Sequence, residues 1–236
     1  MEVVIYIYEG MTMLDAIGPY EVLRNLRDCK VKFVAREKGE ITADSKAVHL
    51  LAKHDIGEVK RADILLIPGS TIAFMRELQD EKVLQWIRDI DKTTLKTVTV
   101  CTGSIILAAT GLLEGKKATS HWKPIQLLKE FGAIPSRERI VEEGKFISAA
   151  GVSAGIDMAL YLAAQVKGEK DAKVAQLAIE YDPQPIFQSG NYLKADPDII
   201  QHAEKLLERD AIKELSLWEM LKNTKRLLKL KRKTQE

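Results

Sequence analysis

Two things are nearly missing from this 236-residue chain: cysteine and net charge. Cys29 and Cys101 are the only cysteines, and they stand in unlike settings. A lone pair of that kind is not a disulfide framework and fits a reducing compartment, so a cytoplasmic protein is expected. With 36 basic against 34 acidic residues the formal charge is +2, too weak a field to argue for nucleic acid as a partner. Histidine is scarce too. His49, His54, His121 and His202 are scattered and no cysteine has a ligand partner at zinc spacing, so no metal site is expected. Long apolar runs are also lacking. The first, residues 3–8, has the length of a buried strand and is too short for a secretory core or a membrane span. There is no internal repeat and no low-complexity linker.

What is present reads as an α/β domain. Apolar runs at 3–8, 31–35, 63–68, 96–100 and 146–149 alternate with helical periodicity near 15–27, 80–91, 103–113, 122–131 and 153–166. Strands apolar on both faces and interleaved with helices predict a mainly parallel, doubly wound sheet covered on two sides. The segment RIVEEGKFIS instead predicts two short antiparallel strands around a Glu-Glu-Gly turn. This domain is expected to span residues 1–195. Residues 196–236 are expected to form a charged helical extension of the same domain, starting at Asp196-Pro197. Ile199, Ile200, Ala203, Leu206 and Leu207 recur there at helical spacing, predicting a buried stripe that leaves His202 and Glu204 on the polar side. Residues 222–233 hold seven Lys or Arg and no acid. They read either as a solvated terminal helix or as a weak contact for an anionic surface.

The most informative segment is TVTVCTGSIILAATGLL. A β-branched strand ends at Val100 and a helix of small and apolar residues begins near Gly103, which places Cys101 on the turn. The partial positive charge of a helix start would stabilise a thiolate and lower its pKa from about 8.5 towards roughly 3.5–7.5. Such a thiol would be partly exposed and oxidised in preference to Cys29, which is read as packing. Gly103 lets the backbone pass closely, and Thr102 sets a hydroxyl beside the sulfur. An inert buried cysteine is the alternative reading. Downstream of the 63–68 strand, Pro68-Gly69-Ser70 closes a second turn, whose Gly69 and Ser70 N–H groups would face Cys101 as an anion pocket. In MTMLDAIGPYEVL, Asp15 opens a helix, either as its cap or as a proton donor facing the thiol.

Taken together, LDAIGPYEVL, ILLIPGS, VCTGSIILAATGLLEGKKATSHW, FGAIPSRERIV, GVSAGIDMAL and QLAIEYDPQP resemble the ThiJ/PfpI superfamily, also described as class I glutamine-amidotransferase-like. Within it they are similar to the isocyanide hydratase branch, over about residues 3–190. The resemblance implies a flavodoxin-like fold, usually a homodimer, acting on a small molecule without a cofactor. Cys101, Thr102 and Asp15 match that branch's catalytic set, with Asp15 delivering a proton and Thr102 holding the aspartate or the intermediate. Many relatives have Pro-Gly-Gly where this chain has Pro68-Gly69-Ser70, which alters the local φ freedom but keeps the N–H.

Neighbouring activities fit less well. An amidotransferase needs a histidine–carboxylate pair, which His202-Ala203-Glu204 imitates from the wrong side of its helix, and it has a glycine where this chain has Thr99. PfpI-type peptidases and deglycase or chaperone relatives carry a histidine directly after the nucleophile, where this chain has Thr102. AraC-type regulators share a pair like His121-Trp122 but add a DNA-binding unit, of which the residues after 190 show no helix-turn-helix pattern. A redox or stress-sensing protein is the remaining alternative.

Overall fold

A computed structural model of the chain describes residues 1–214, which fall into two units, Met1–Ile179 and the part from Glu180 onward. The basic segment 222–233 lies outside the described residues. In chain order the first unit comprises β1 (Glu2–Tyr6), α1 (Met13–Leu23), β2 (Lys30–Ala35), β3 (Gly39–Thr42), β4 (His49–Ala52), β5 (His54–Asp55) and β6 (Ile64–Ile67). There follow α2 (Phe74–Glu77), α3 (Glu81–Asp91), β7 (Lys96–Val100), α4 (Gly103–Ala109), β8 (Lys117–Ala118), a 3-10 helix (Ile125–Phe131) and β9 (Ile134–Pro135). It ends with β10 (Ile140–Glu143), β11 (Phe146–Ala149), α5 (Ala154–Lys167) and α6 (Glu169–Ala178).

Seven strands form one sheet in the order β10-β11-β7-β6-β1-β2-β5. Every pairing is parallel except β10 with β11, the antiparallel addition expected from RIVEEGKFIS. Parallel strands covered on both faces must be apolar throughout, and Val3–Tyr6, Ile64–Ile67 and Val98 are fully buried. Each such side chain contributes roughly 1.5–3 kcal/mol when removed from water, more than the 0–1 kcal/mol of a surface ion pair. Burial therefore fixes the centre of the sheet. Helices α1, α5 and α6 pack together, while α2 and α3 pack on α4. The flavodoxin-like, doubly wound fold is the one expected.

Beside β1 the chain order reverses. β2 lies on one side, and after the β3–β4 hairpin and β5 the chain crosses to β6 on the other. The C-terminal ends of β1, β6 and β7 thus lie side by side at a topological switch point, where open α/β sheets bind ligands.

The second unit contains α7 (Pro197–Glu214), with proline at its first position. The stripe predicted on this helix is not buried: Ile199 and Leu206 are exposed, and Ile200, Ala203 and Leu207 are half-buried. Helical spacing sets a shared face, but only a covering partner removes it from water.

Candidate functional site

Cys101 lies on the turn between β7 and α4, and its backbone has φ of +58°, in the left-handed region. A non-glycine residue there costs roughly 1–2 kcal/mol, so the turn must be held by its surroundings. It is. Cys101 N–H donates to the Ala149 carbonyl at 3.0 Å, extending the β7–β11 ladder into the turn. Two hydroxyls converge on the Cys101 carbonyl oxygen: Ser104 Oγ at 3.1 Å and Ser120 Oγ at 3.0 Å.

Two glycines permit the turn's close neighbours. A Cβ on Gly103 would lie 2.1 Å from the Ile67 carbonyl oxygen, and one on Gly69 would lie 2.5 Å from Thr102 N and 2.9 Å from Cys101 Cβ. Real Cβ atoms do not approach backbone so closely, so the β6 and β7 turns abut only because these two positions lack side chains.

Asp15, in the first turn of α1, is fully buried. No cap hydrogen bond is made by α1's N-terminal side chain, and Asp15 is turned inward instead of capping. Its Oδ2 accepts the Gly69 N–H at 2.9 Å, while Oδ1 is buried with no hydrogen-bond partner among the described residues. Burial pushes the Asp15 carboxyl up to about 7, against the opposing pull of the Gly69 N–H and the Cys101 thiol. The same pocket acts on Cys101. Burial first, then the Asp15 charge, raise its thiol above the ordinary range, and the Thr102 N–H and hydroxyl offset them in part.

This reverses one expectation. Cys101 is buried, not partly exposed, and its thiol is shifted up, not down. The short α4 offers N–H donors, but desolvation and a facing carboxylate outweigh them. The selective oxidation expected of a low-pKa, accessible thiol loses that basis.

Gly69 and Ser70 do flank Cys101, yet their N–H groups are engaged. Gly69 N–H serves Asp15, and Ser70 N–H donates to Thr102 Oγ1 at 2.8 Å. Thr102 Oγ1 returns a bond to the Ser70 carbonyl at 2.9 Å, so its hydroxyl locks the β6 turn rather than holding Asp15. Ser70 Oγ in turn accepts the Phe74 N–H at 2.6 Å and ties the turn to α2. All six residues singled out in the sequence, Asp15, Gly69, Ser70, Cys101, Thr102 and Gly103, are brought together.

Three residues of the site carry no local sequence signal. Tyr8, just beyond β1, is buried and donates its hydroxyl to the Pro68 carbonyl at 3.2 Å. Ser104 and Ser120 act on the Cys101 carbonyl. Only the SHW motif hints at Ser120, and there attention falls on the histidine. His121 packs over Gly151 and against Trp122, and burial lowers its pKa to about 4, so it is neutral at physiological pH. His202 is exposed on α7, its Nδ1 2.8 Å from the Asp198 carbonyl of the same helix.

Two further motifs, LDAIGP and GVSAGID, pack against each other. A Cβ on Gly18 would lie 3.0 Å from Ile156, and one on Gly155 would lie 3.1 Å from Val100 and 3.2 Å from Pro19. LDAIGP and GVSAGID therefore meet at the α1–α5 contact, which seats Asp15 over the end of β7.

The DJ-1/PfpI family model matches residues 1–165. The isonitrile hydratase of Pseudomonas putida is 35% identical over 199 residues, 84% of this chain and 86% of that protein. The crystal structure of a ThiJ/PfpI family protein from Pseudomonas syringae superposes with a TM-score of 0.85 at 32% identity, over 90% of this chain and 88% of the other. The HTH-type transcriptional regulator CdhR of Pseudomonas aeruginosa is 35% identical over 104 residues, 43% of this chain and 29% of that protein. The strained cysteine turn, the carboxylate facing it and the reversal of strand order beneath them thus accompany sequence likeness along most of the first unit, and the chain belongs to the DJ-1/PfpI family.

Proposed function

We propose that this protein is a cysteine-dependent hydratase that converts an isonitrile, R–N≡C, to the N-formamide. The observation that carries the reading is the buried Asp15 carboxyl, with one oxygen anchored on Gly69, the other without a partner, and the Cys101 thiol beside it. Likeness to an isonitrile hydratase over most of both chains supports it.

The pair needs one proton between its two members. Asp15 takes the thiol proton as Sγ attacks the terminal carbon, a soft nucleophile on a soft electrophile. Asp15 then returns that proton to the same carbon, leaving a thioimidate, Cys101–S–CH=N–R. Water adds to this carbon, one water proton passes to nitrogen, and the C–S bond breaks as the carbonyl forms. The remaining water proton goes back to the pair, the product is R–NH–CHO, and the atoms of one isonitrile and one water are accounted for. Neutral His121 and exposed His202 have no part in these steps.

The proposal extends to a homodimer acting without a cofactor, as the family resemblance implies, and to the cytoplasm, as the two unlike cysteines suggest. The chemistry is tested by incubating the protein with a small alkyl or aryl isonitrile and following formamide by mass spectrometry. Formamide formation abolished in Cys101→Ala is expected; wild-type turnover no faster than that variant overturns the reading.

A further inference from the structure

The left-handed Cys101 turn needs an anchor, and two serines from different parts of the chain supply one. Ser104 lies in the first turn of α4, fully buried, and its hydroxyl reaches back three residues to the Cys101 carbonyl at 3.1 Å. That is an ordinary bond for a helical serine. Ser120 is different. It follows β8, nineteen residues along the chain, is also buried, and donates to the same oxygen at 3.0 Å. Its neighbour Thr119 is pinned through N–H to Ser148 Oγ on β11 at 2.9 Å, and Ser148 is the register partner of Thr99 in β7. The segment carrying Ser120 is thus fastened to the strand beside the nucleophile strand. On the other side of the turn, Cys101 N–H is fixed to Ala149. Both backbone polar groups of residue 101 are held by elements other than β7.

We propose that Ser104 and Ser120 act as a hydroxyl clamp: by holding the Cys101 carbonyl they keep residue 101 at positive φ and aim Sγ at Asp15, with Ser120 as the long-range positioning residue. This rests on the cysteine-dependent reading given above. Neither serine touches the reacting atoms. Without the clamp, residue 101 can relax toward negative φ, which swings Cβ and Sγ away from the carboxyl. Misplacement of a reacting atom by about 1 Å can cost as much as a hundredfold in rate. With one of two anchors removed, a loss of roughly tenfold is expected.

The experiment uses the full chain and compares wild type, Ser120→Ala, Ser120→Thr and Ser104→Ala, with Cys101→Ala as the blank. Thiolate absorbance in the ultraviolet is followed against pH to read the midpoint of Cys101. Isonitrile turnover is read as kcat and KM separately. The clamp predicts a displaced thiol midpoint in Ser120→Ala, a kcat reduced roughly tenfold with KM changed less than about twofold, and recovery of both in Ser120→Thr, which keeps the hydroxyl. A folded Ser120→Ala with the wild-type midpoint and kcat overturns it. Should Ser120→Ala fail to fold, Ser104→Ala removes the other donor to the same oxygen and is judged by the same two readouts. If the wild type turns over no isonitrile, the hydratase reading falls by itself, and the thiol midpoint still decides the clamp.

Discussion

Asp15 is the residue on which the chemistry and the stability of this protein meet. Its pKa rises from 3.8 to about 7 on folding because burial disfavours the charge more than Gly69 and Cys101 favour it. The fold therefore prefers the neutral carboxyl. The stability this contributes is fully present below about pH 4 and is lost as pH rises through about 7. Asp15→Asn keeps an acceptor for the Gly69 N–H and removes the charge. Its melting temperature relative to wild type is expected to be higher at pH 8 than at pH 5, and an offset equal at both values would contradict the shift. Activity has the opposite dependence. The proposed steps begin with the thiol protonated and Asp15 ionised, so turnover should rise as pH passes upward through about 7. In Asp15→Asn that inflection should vanish, with kcat lower by about a hundredfold or more, the usual worth of positioned proton transfer. A wild-type rate profile that falls through pH 7, or full activity in Asp15→Asn, would remove the carboxyl from the mechanism.

Between elements, close approach and buried pairing decide what can be changed. Gly103 is the tightest contact, since an added Cβ would meet backbone of β6 that no side-chain rotation can clear. Gly103→Ala is expected to lower stability by about 1–3 kcal/mol, the usual cost of overpacking, or to prevent folding. A melting temperature equal to wild type would show that the turns can separate. On the opposite rim, Asp91 closes α3 against the sheet. It is buried, accepts the Thr97 hydroxyl at 2.7 Å and pairs with Lys145 at 3.0 Å. Asp91→Ala removes the charged partner of each, leaving Thr97 and Lys145 their bonds to the Thr94 hydroxyl at 2.9 and 3.3 Å, and should cost about 1–3 kcal/mol in chemical denaturation, since hydrogen bonds to a charged group are the stronger ones. A change below about 0.5 kcal/mol, the range of ordinary surface substitutions, would place the pair among the energetically silent ones. Asp91→Ala therefore tests the frame, whereas Gly103→Ala also disturbs the turn that carries Cys101.

At the scale of the molecule, the assembly proposed from the family resemblance is checked by sedimentation equilibrium, which should report twice the monomer mass; a monomer at micromolar concentration would refute it. The sheet itself was legible in the sequence. Five apolar runs became β1, β2, β6, β7 and β11, because a strand buried on both faces leaves a continuous hydrophobic signal that needs no distant partner to be read. Weaker signals were missed. The β3–β4 hairpin carries mixed polarity around a polar turn, α6 begins with a charged run, and the helix expected at 122–131 is a 3-10 helix over Ile125–Phe131 entered from Pro124. The site divides along the same line. Gly69, Ser70, Cys101, Thr102 and Gly103 follow the ends of strands and Asp15 opens a helix, places that turn and helix-start chemistry mark locally. Their protonation could not be read there. A helix start argued for a thiolate, but the balance depends on how much water the fold removes and on which carboxylate it brings opposite, and both are set by packing between segments far apart in the chain. Ser120 is the same case: a serine is an ordinary residue until the third dimension puts its hydroxyl on the carbonyl of Cys101.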